Sequence, residues 1–82
     1  MNYSDLLANL DKLHTTPLGV ERVRRNLGLG AEDIVAWCKQ QIGSADSMAR
    51  SGKNWYVSVN GCVITINANS FTIITAHREK GL

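Results

Sequence analysis

Asn54-Trp55-Tyr56-Val57-Ser58-Val59-Asn60-Gly61-Cys62-Val63-Ile64-Thr65-Ile66-Asn67 is the stretch that decides the fold. Asn-Gly between two β-rich runs marks a two-residue hairpin turn, because both central residues of that turn need positive φ. Such a turn sets the pairing. Val59 faces Cys62, Val57 faces Ile64 and Trp55 faces Ile66, so six apolar side chains share one face. Asn54, Tyr56, Ser58, Val63, Thr65 and Asn67 take the other. One dry face and one wet face are expected of an antiparallel sheet covered by helices on one side.

Downstream, a third strand is expected over residues 71–77, after Ala68-Asn69-Ser70. Its register stays open between two loops. A three-residue loop sends Ile73, Thr75 and His77 to the wet face, with Thr75 opposite Val63 and His77 beside Gly61. A two-residue loop sends them to the dry face, because a one-residue slip exchanges the faces. Upstream, Ser51-Gly52-Lys53 reads as a turn, with a short edge strand over residues 48–50 before it.

The period before that is 3.6. Leu6, Leu7, Leu10 and Leu13 recur at helical spacing, which predicts a first helix over residues 4–14 with Ser4 as its N-cap. Thr16-Pro17 opens a second over 17–27, with Val20, Val23 and Leu27 inward and Gly28 as its stop. Glu32 and Asp33 in the first turn, Lys39 in the last and Gly43 as the stop predict a third over 31–42. The expected fold class is α+β: three N-terminal helices packed on one face of a C-terminal antiparallel sheet of three to four strands, within a single domain spanning 1–82.

Eighty-two residues, 44% of them apolar and only one a proline, suit one ordered domain. The net charge of +2 permits a polyanionic partner without demanding one. No run is long and apolar enough for a membrane helix. The first residues carry no basic leader, so a non-secreted, cytoplasmic chain is expected. Cys38 and Cys62 lie far apart inside apolar periodic segments. They read as buried free thiols, and neither has a second ligand at metal-binding spacing.

No phosphate loop, paired-cysteine metal pattern or nucleophile elbow is present, so no cofactor and no metal are expected. Arg22, Arg24 and Arg25 form the densest basic cluster, and Arg22 and Arg25 share a helix face. Arginine's planar fork suits phosphate, and Arg50 and Lys53 could extend the patch. His14 reads as a helix-end residue. His77 lies two residues after Thr75 and beside Arg78. A histidine, a hydroxyl and a cation at one sheet end suit metal-free phosphodiester cleavage. Tyr56, on the wet face, is the candidate for stacking on a base. Trp37 and Trp55 read as core.

Several blocks carry a family likeness: Leu13-His14-Thr15-Thr16, Gly19-Val20-Glu21-Arg22, Arg25-Asn26-Leu27, Gly52-Lys53-Asn54-Trp55-Tyr56-Val57, Ile64-Thr65-Ile66-Asn67 and Ile73-Ile74-Thr75-Ala76-His77. Together they resemble DUF3781, a family of small bacterial and archaeal proteins of unknown function, which implies no activity. The C-terminal half alone is similar in plan to the barnase–EndoU–colicin–RelE ribonucleases and toxins. That resemblance implies catalysis on the open sheet face and carries no residue roles with it.

Two functional readings follow. The first is a ribonuclease-like domain acting on RNA, with His77 as acid or base, Thr75 and Lys53 beside it, and Arg22, Arg25, Arg50 and Tyr56 holding the nucleic acid. The second is a non-catalytic binding module, either a winged-helix-like nucleic-acid binder or a domain that dimerises through a sheet edge. The winged-helix version suffers from a third helix with only Lys39 as a cation.

Overall fold

A short first helix is the first departure from the sequence pattern. The computed structural model describes residues 3–30 and 32–79. Its first helix, α1, is Tyr3–Leu7 and not 4–14. Ser4 lies inside it, so the N-cap assigned to Ser4 is not observed. Asn9 ends it. The Asn9 side-chain amide takes the Asp5 carbonyl at 2.7 Å, the acceptor that its own N–H would use in a continuing helix. That N–H bonds the Leu6 carbonyl instead, and the chain tightens into a 3-10 turn, Leu10–Lys12. The four-leucine pattern survives in part, with Leu6 and Leu13 both buried.

His14–Thr15 then forms a strand, β1. Thr16 stays extended, as a residue before proline prefers, and its hydroxyl accepts from the Gly19 N–H at 3.1 Å. Helix α2, Pro17–Leu27, starts at Pro17 and closes on Gly28 in the left-handed region. Helix α3 is Ile34–Gly43, not 31–42, because Asp33 is its N-cap and accepts from the Ala36 N–H at 3.1 Å. Ala31, the expected start, lies outside the described residues. Gly43 is the last helical residue and Ser44 the cap.

Strands β2 (Ser47–Ser51), β3 (Asn54–Val59), β4 (Cys62–Asn67) and β5 (Thr72–Arg78) complete a five-stranded sheet in the order β1-β5-β4-β3-β2. The β3–β4 hairpin has the expected register, Val59 to Cys62, Val57 to Ile64 and Trp55 to Ile66, with Asn60 and Gly61 both at positive φ. The expected plan is otherwise corrected. The sheet is mixed, since β1 runs parallel to β5, and it has five strands, one from the N-terminal segment. Among the described residues only α2 and α3 exceed one and a half turns, and the 4–14 segment supplies a helix, a 3-10 turn and a strand.

Neither anticipated loop connects β4 to β5. Four residues, Ala68 to Phe71, make the turn, and Phe71 adopts positive φ. Ile66 pairs with Ile73, but Thr65 pairs with Thr75, leaving Ile74 unpaired as a β-bulge. The extra residue resolves the register. Ile73 stays with the buried residues, while Thr75 and His77 turn to the wet face opposite Thr65 and Val63. The core lies between the dry face and the helices: Val23, Leu27, Ile34, Cys38 and Ile42 pack against Trp55, Val57, Val59, Ile64, Ile66 and Ile73.

Candidate functional site

The sheet face away from the helices presents residues at alternating positions of all five strands. Register places Ala49, Tyr56, Thr65 and Thr75 in one cross-strand row. Ser47, Ser58, Val63 and His77 form a second row toward the hairpin tip. Ser51, Asn54 and Asn67 align at the opposite end, near the paired His14 and Thr72. Adjacent side chains in such rows stand about 5 Å apart. Tyr56 is 36% exposed at the middle of the face, and Thr65, flanked on both sides, is buried.

The expected cluster around His77 is assembled in part. Thr75 and His77 share the open face, and His77 is exposed. Asn26 of α2 donates from Nδ2 to the Thr75 hydroxyl at 3.3 Å and to the Ala76 carbonyl at 3.2 Å. In the sequence Asn26 stands out only as part of the Arg25-Asn26-Leu27 block. Arg22 lies one helical turn before it on the same flank, and Arg25 is exposed beside it.

The cations assigned to His77 lie elsewhere. Arg78 faces the other way and donates from Nη2 to the Leu27 carbonyl at 3.1 Å, closing the C-terminus of α2. Lys53 precedes Asn54, five residues along β3 from the row of His77, or about 16 Å. Arg50 is at that same far end. Its Nε bonds the Gly52 carbonyl at 3.1 Å, and its guanidinium stands 5.6 Å from the centroid of the Trp55 ring, toward the helix side.

The end that holds Lys53 is chemically denser. His14 Nδ1 lies 3.0 Å from the Lys12 carbonyl, and Nε2 lies 3.0 Å from Thr72 Oγ1. A carbonyl only accepts, so Nδ1 carries a proton, and in the neutral ring Nε2 accepts from Thr72. Ser70 Oγ lies 2.7 Å from Thr72 Oγ1 and 3.1 Å from Asn67 Oδ1, and its single hydrogen serves one of the two at a time. Asn67 Oδ1 also accepts from the N–H groups of Asn69 and Ser70, each at 3.0 Å. Tyr56 leans toward this end, its hydroxyl accepting from Asn54 Nδ2 at 3.3 Å. Lys12 stands over the Phe71 ring, 5.8 Å from Nζ to centroid. A hydroxyl–imidazole chain, two amides and a phenol thus gather at one sheet end, with Lys53 in the adjoining turn, while Lys12 sits over the Phe71 ring that packs on the buried Trp55. The sequence signal for it was weak: His14 looked like the end of a helix that stops seven residues earlier.

Cys38 and Cys62 are free and buried. Burial pushes the Cys38 thiol up to about 12, so it is a packing group and not a nucleophile. Among the described residues no group of three His, Cys, Asp or Glu is placed to hold a metal ion. No described helix is long and apolar enough to cross a membrane.

The family model described as "Protein of unknown function (DUF3781)" matches residues 7–77. No curated protein and no solved structure matches the chain.

Proposed function

We infer, for a chain that belongs to the DUF3781 family of proteins of unknown function, that it binds single-stranded RNA on the open face of its sheet, without catalysing its cleavage. The observation that carries the reading is Tyr56, exposed at the centre of a helix-free sheet face and tethered by Asn54. A fixed aromatic on a sheet is a platform on which a base stacks. Asn54 Oδ1 and Asn67 Nδ2 offer an acceptor and a donor to base edges around it, while His14 and Thr72 are engaged with one another. Lys53 at one end, with Arg22 and Arg25 on the flank of α2, supplies charge for phosphates. Binding is favoured over cleavage because the geometry leaves His77 without Lys53 or Arg78. The winged-helix version is not retained, since a five-stranded mixed sheet does not follow that plan.

The test is fluorescence anisotropy with a short labelled single-stranded RNA, in a chelator, over a salt series. Saturable binding at micromolar protein that weakens with salt is expected. Tyr56→Ala should lose about 1–3 kcal/mol, the worth of one stacked base. Lys53→Ala should lower the slope of log K against log salt by about 0.7, one phosphate contact on a single strand. No binding at low salt, or binding indifferent to Tyr56→Ala, would remove the reading. Cleavage in chelator that His77→Ala abolishes would replace it with the catalytic one.

A further inference from the structure

We propose that the chain forms a two-fold dimer by antiparallel pairing of β2 with β2 of a second copy, in the register that sets Ala49 opposite Ala49. The inference does not rest on the RNA reading.

The two edges of the sheet differ. At one edge β1 is two residues long, and beyond it Asn26 bonds the Ala76 carbonyl of β5, so that edge is partly covered. At the other, β2 is five residues long, is paired to β3 without a bulge and contains no proline. All of it is exposed except Met48. An edge strand of this kind, with none of the usual protective devices except one arginine, is a template for another strand.

The turn shows which backbone groups are free. Gly52 at φ 59 begins a two-residue turn, so its flanking pair, Ser51 and Asn54, exchanges hydrogen bonds, and so do Ala49 and Tyr56 two residues on. The N–H and C=O groups of Met48 and Arg50 therefore point away from the sheet. With Ala49 on the two-fold axis, Met48 of each copy faces Arg50 of the other, and all of these groups pair. The Ala49 positions then form a non-hydrogen-bonded pair, in which the Cα atoms come to about 4.5 Å and the two side chains meet at the axis.

Charge also favours this register. Ser47 meets Ser51, and Asp46 of one copy comes beside Gly52 and Lys53 of the other, once at each end. A shift that sets Arg50 opposite Arg50 would oppose like charges. On the helix side of the same edge, Leu7, 44% exposed, borders a cavity of about 180 Å³ shared with Ser47 and Met48. The two-fold axis stands perpendicular to the sheet, so both helix layers lie on one side and both Leu7 side chains flank the seam.

Sedimentation equilibrium of the whole chain over a dilution series tests this. The mean mass should rise from 9.0 kDa toward twice that value with concentration. Ala49→Lys puts two lysines at the axis and should weaken association about tenfold or more, with the circular dichroism and melting of the monomer unchanged. Lys53→Glu should also weaken it, and Lys53→Glu with Asp46→Lys should restore it. A monomer at every concentration would overturn the proposal. A dimer indifferent to Ala49→Lys, or one that the charge exchange fails to rescue, would do the same.

Discussion

Cys38 lies in the middle of α3 with no exposed surface, and its thiol holds a proton up to about pH 12. In the unfolded chain the same thiol ionises near 9. Between those values the unfolded state loses a proton that the folded state keeps, so stability falls as pH rises, by up to about 1.4 kcal/mol per unit. Denaturant unfolding between pH 9 and 11 should show this slope in the wild type. Cys38→Ala should be less stable at pH 8, through the cavity it leaves, and should lack this part of the slope. Equal slopes in both chains would show that Cys38 is not the responsible group. Single residues also explain where the sequence misled. Asn9 stops α1 through a side-chain bond that leaves the leucine spacing intact. His14 has the composition of a helix end and the position of a strand partner.

At the scale of elements, α2 is seated on the sheet by Gly19. A Cβ there would collide with the Thr15 hydroxyl and stand 3.1 Å from the Ile73 carbonyl. Thr15 is held in place by its own bond to that carbonyl at 2.8 Å. Gly19→Ala, neutral or better for helix propensity, should therefore destabilise by about 1–3 kcal/mol in urea unfolding. A stabilised variant would mean that α2 is not docked this closely. The β5 bulge gives a second expectation. Ile73→Ala, in the core, should cost about 2–5 kcal/mol, and Ile74→Ala, on the unpaired residue, about 1 kcal/mol or less. Equal costs would contradict the assignment of faces. The hairpin was legible because Asn60-Gly61 and the alternation around it are local signals. The bulge was not, since Phe71-Thr72-Ile73-Ile74-Thr75 carries no glycine to mark it. Parallel pairing of β1 with β5 joins residues 58 positions apart in the bond between Thr15 and Ile73, and no turn announces it.

For the whole molecule, one consequence dominates. Both long helices are on one side of a five-stranded sheet, and the other side is left to Tyr56, His14, His77, Ala49, Val63 and uncharged polar residues. Tyr56 was legible on that face from the sequence and Thr75 and His77 in one of two open registers, but His14 and Thr72 were not, because a pairing 58 residues apart brings them there. The structure separates Lys53 from His77 and sets it at the end that holds His14, Thr72, Ser70 and Asn67. By our proposal this helix-free face is the surface that meets RNA. Amide chemical shifts of isotope-labelled protein titrated with short single-stranded RNA test it most directly. Shifts are expected to concentrate at His14, Asn54, Tyr56, Thr65, Asn67 and Thr72, with little change at Trp37 and Gln40 on α3 or at Asp33, which caps it. Shifts centred on α3, or none at millimolar RNA, would contradict it.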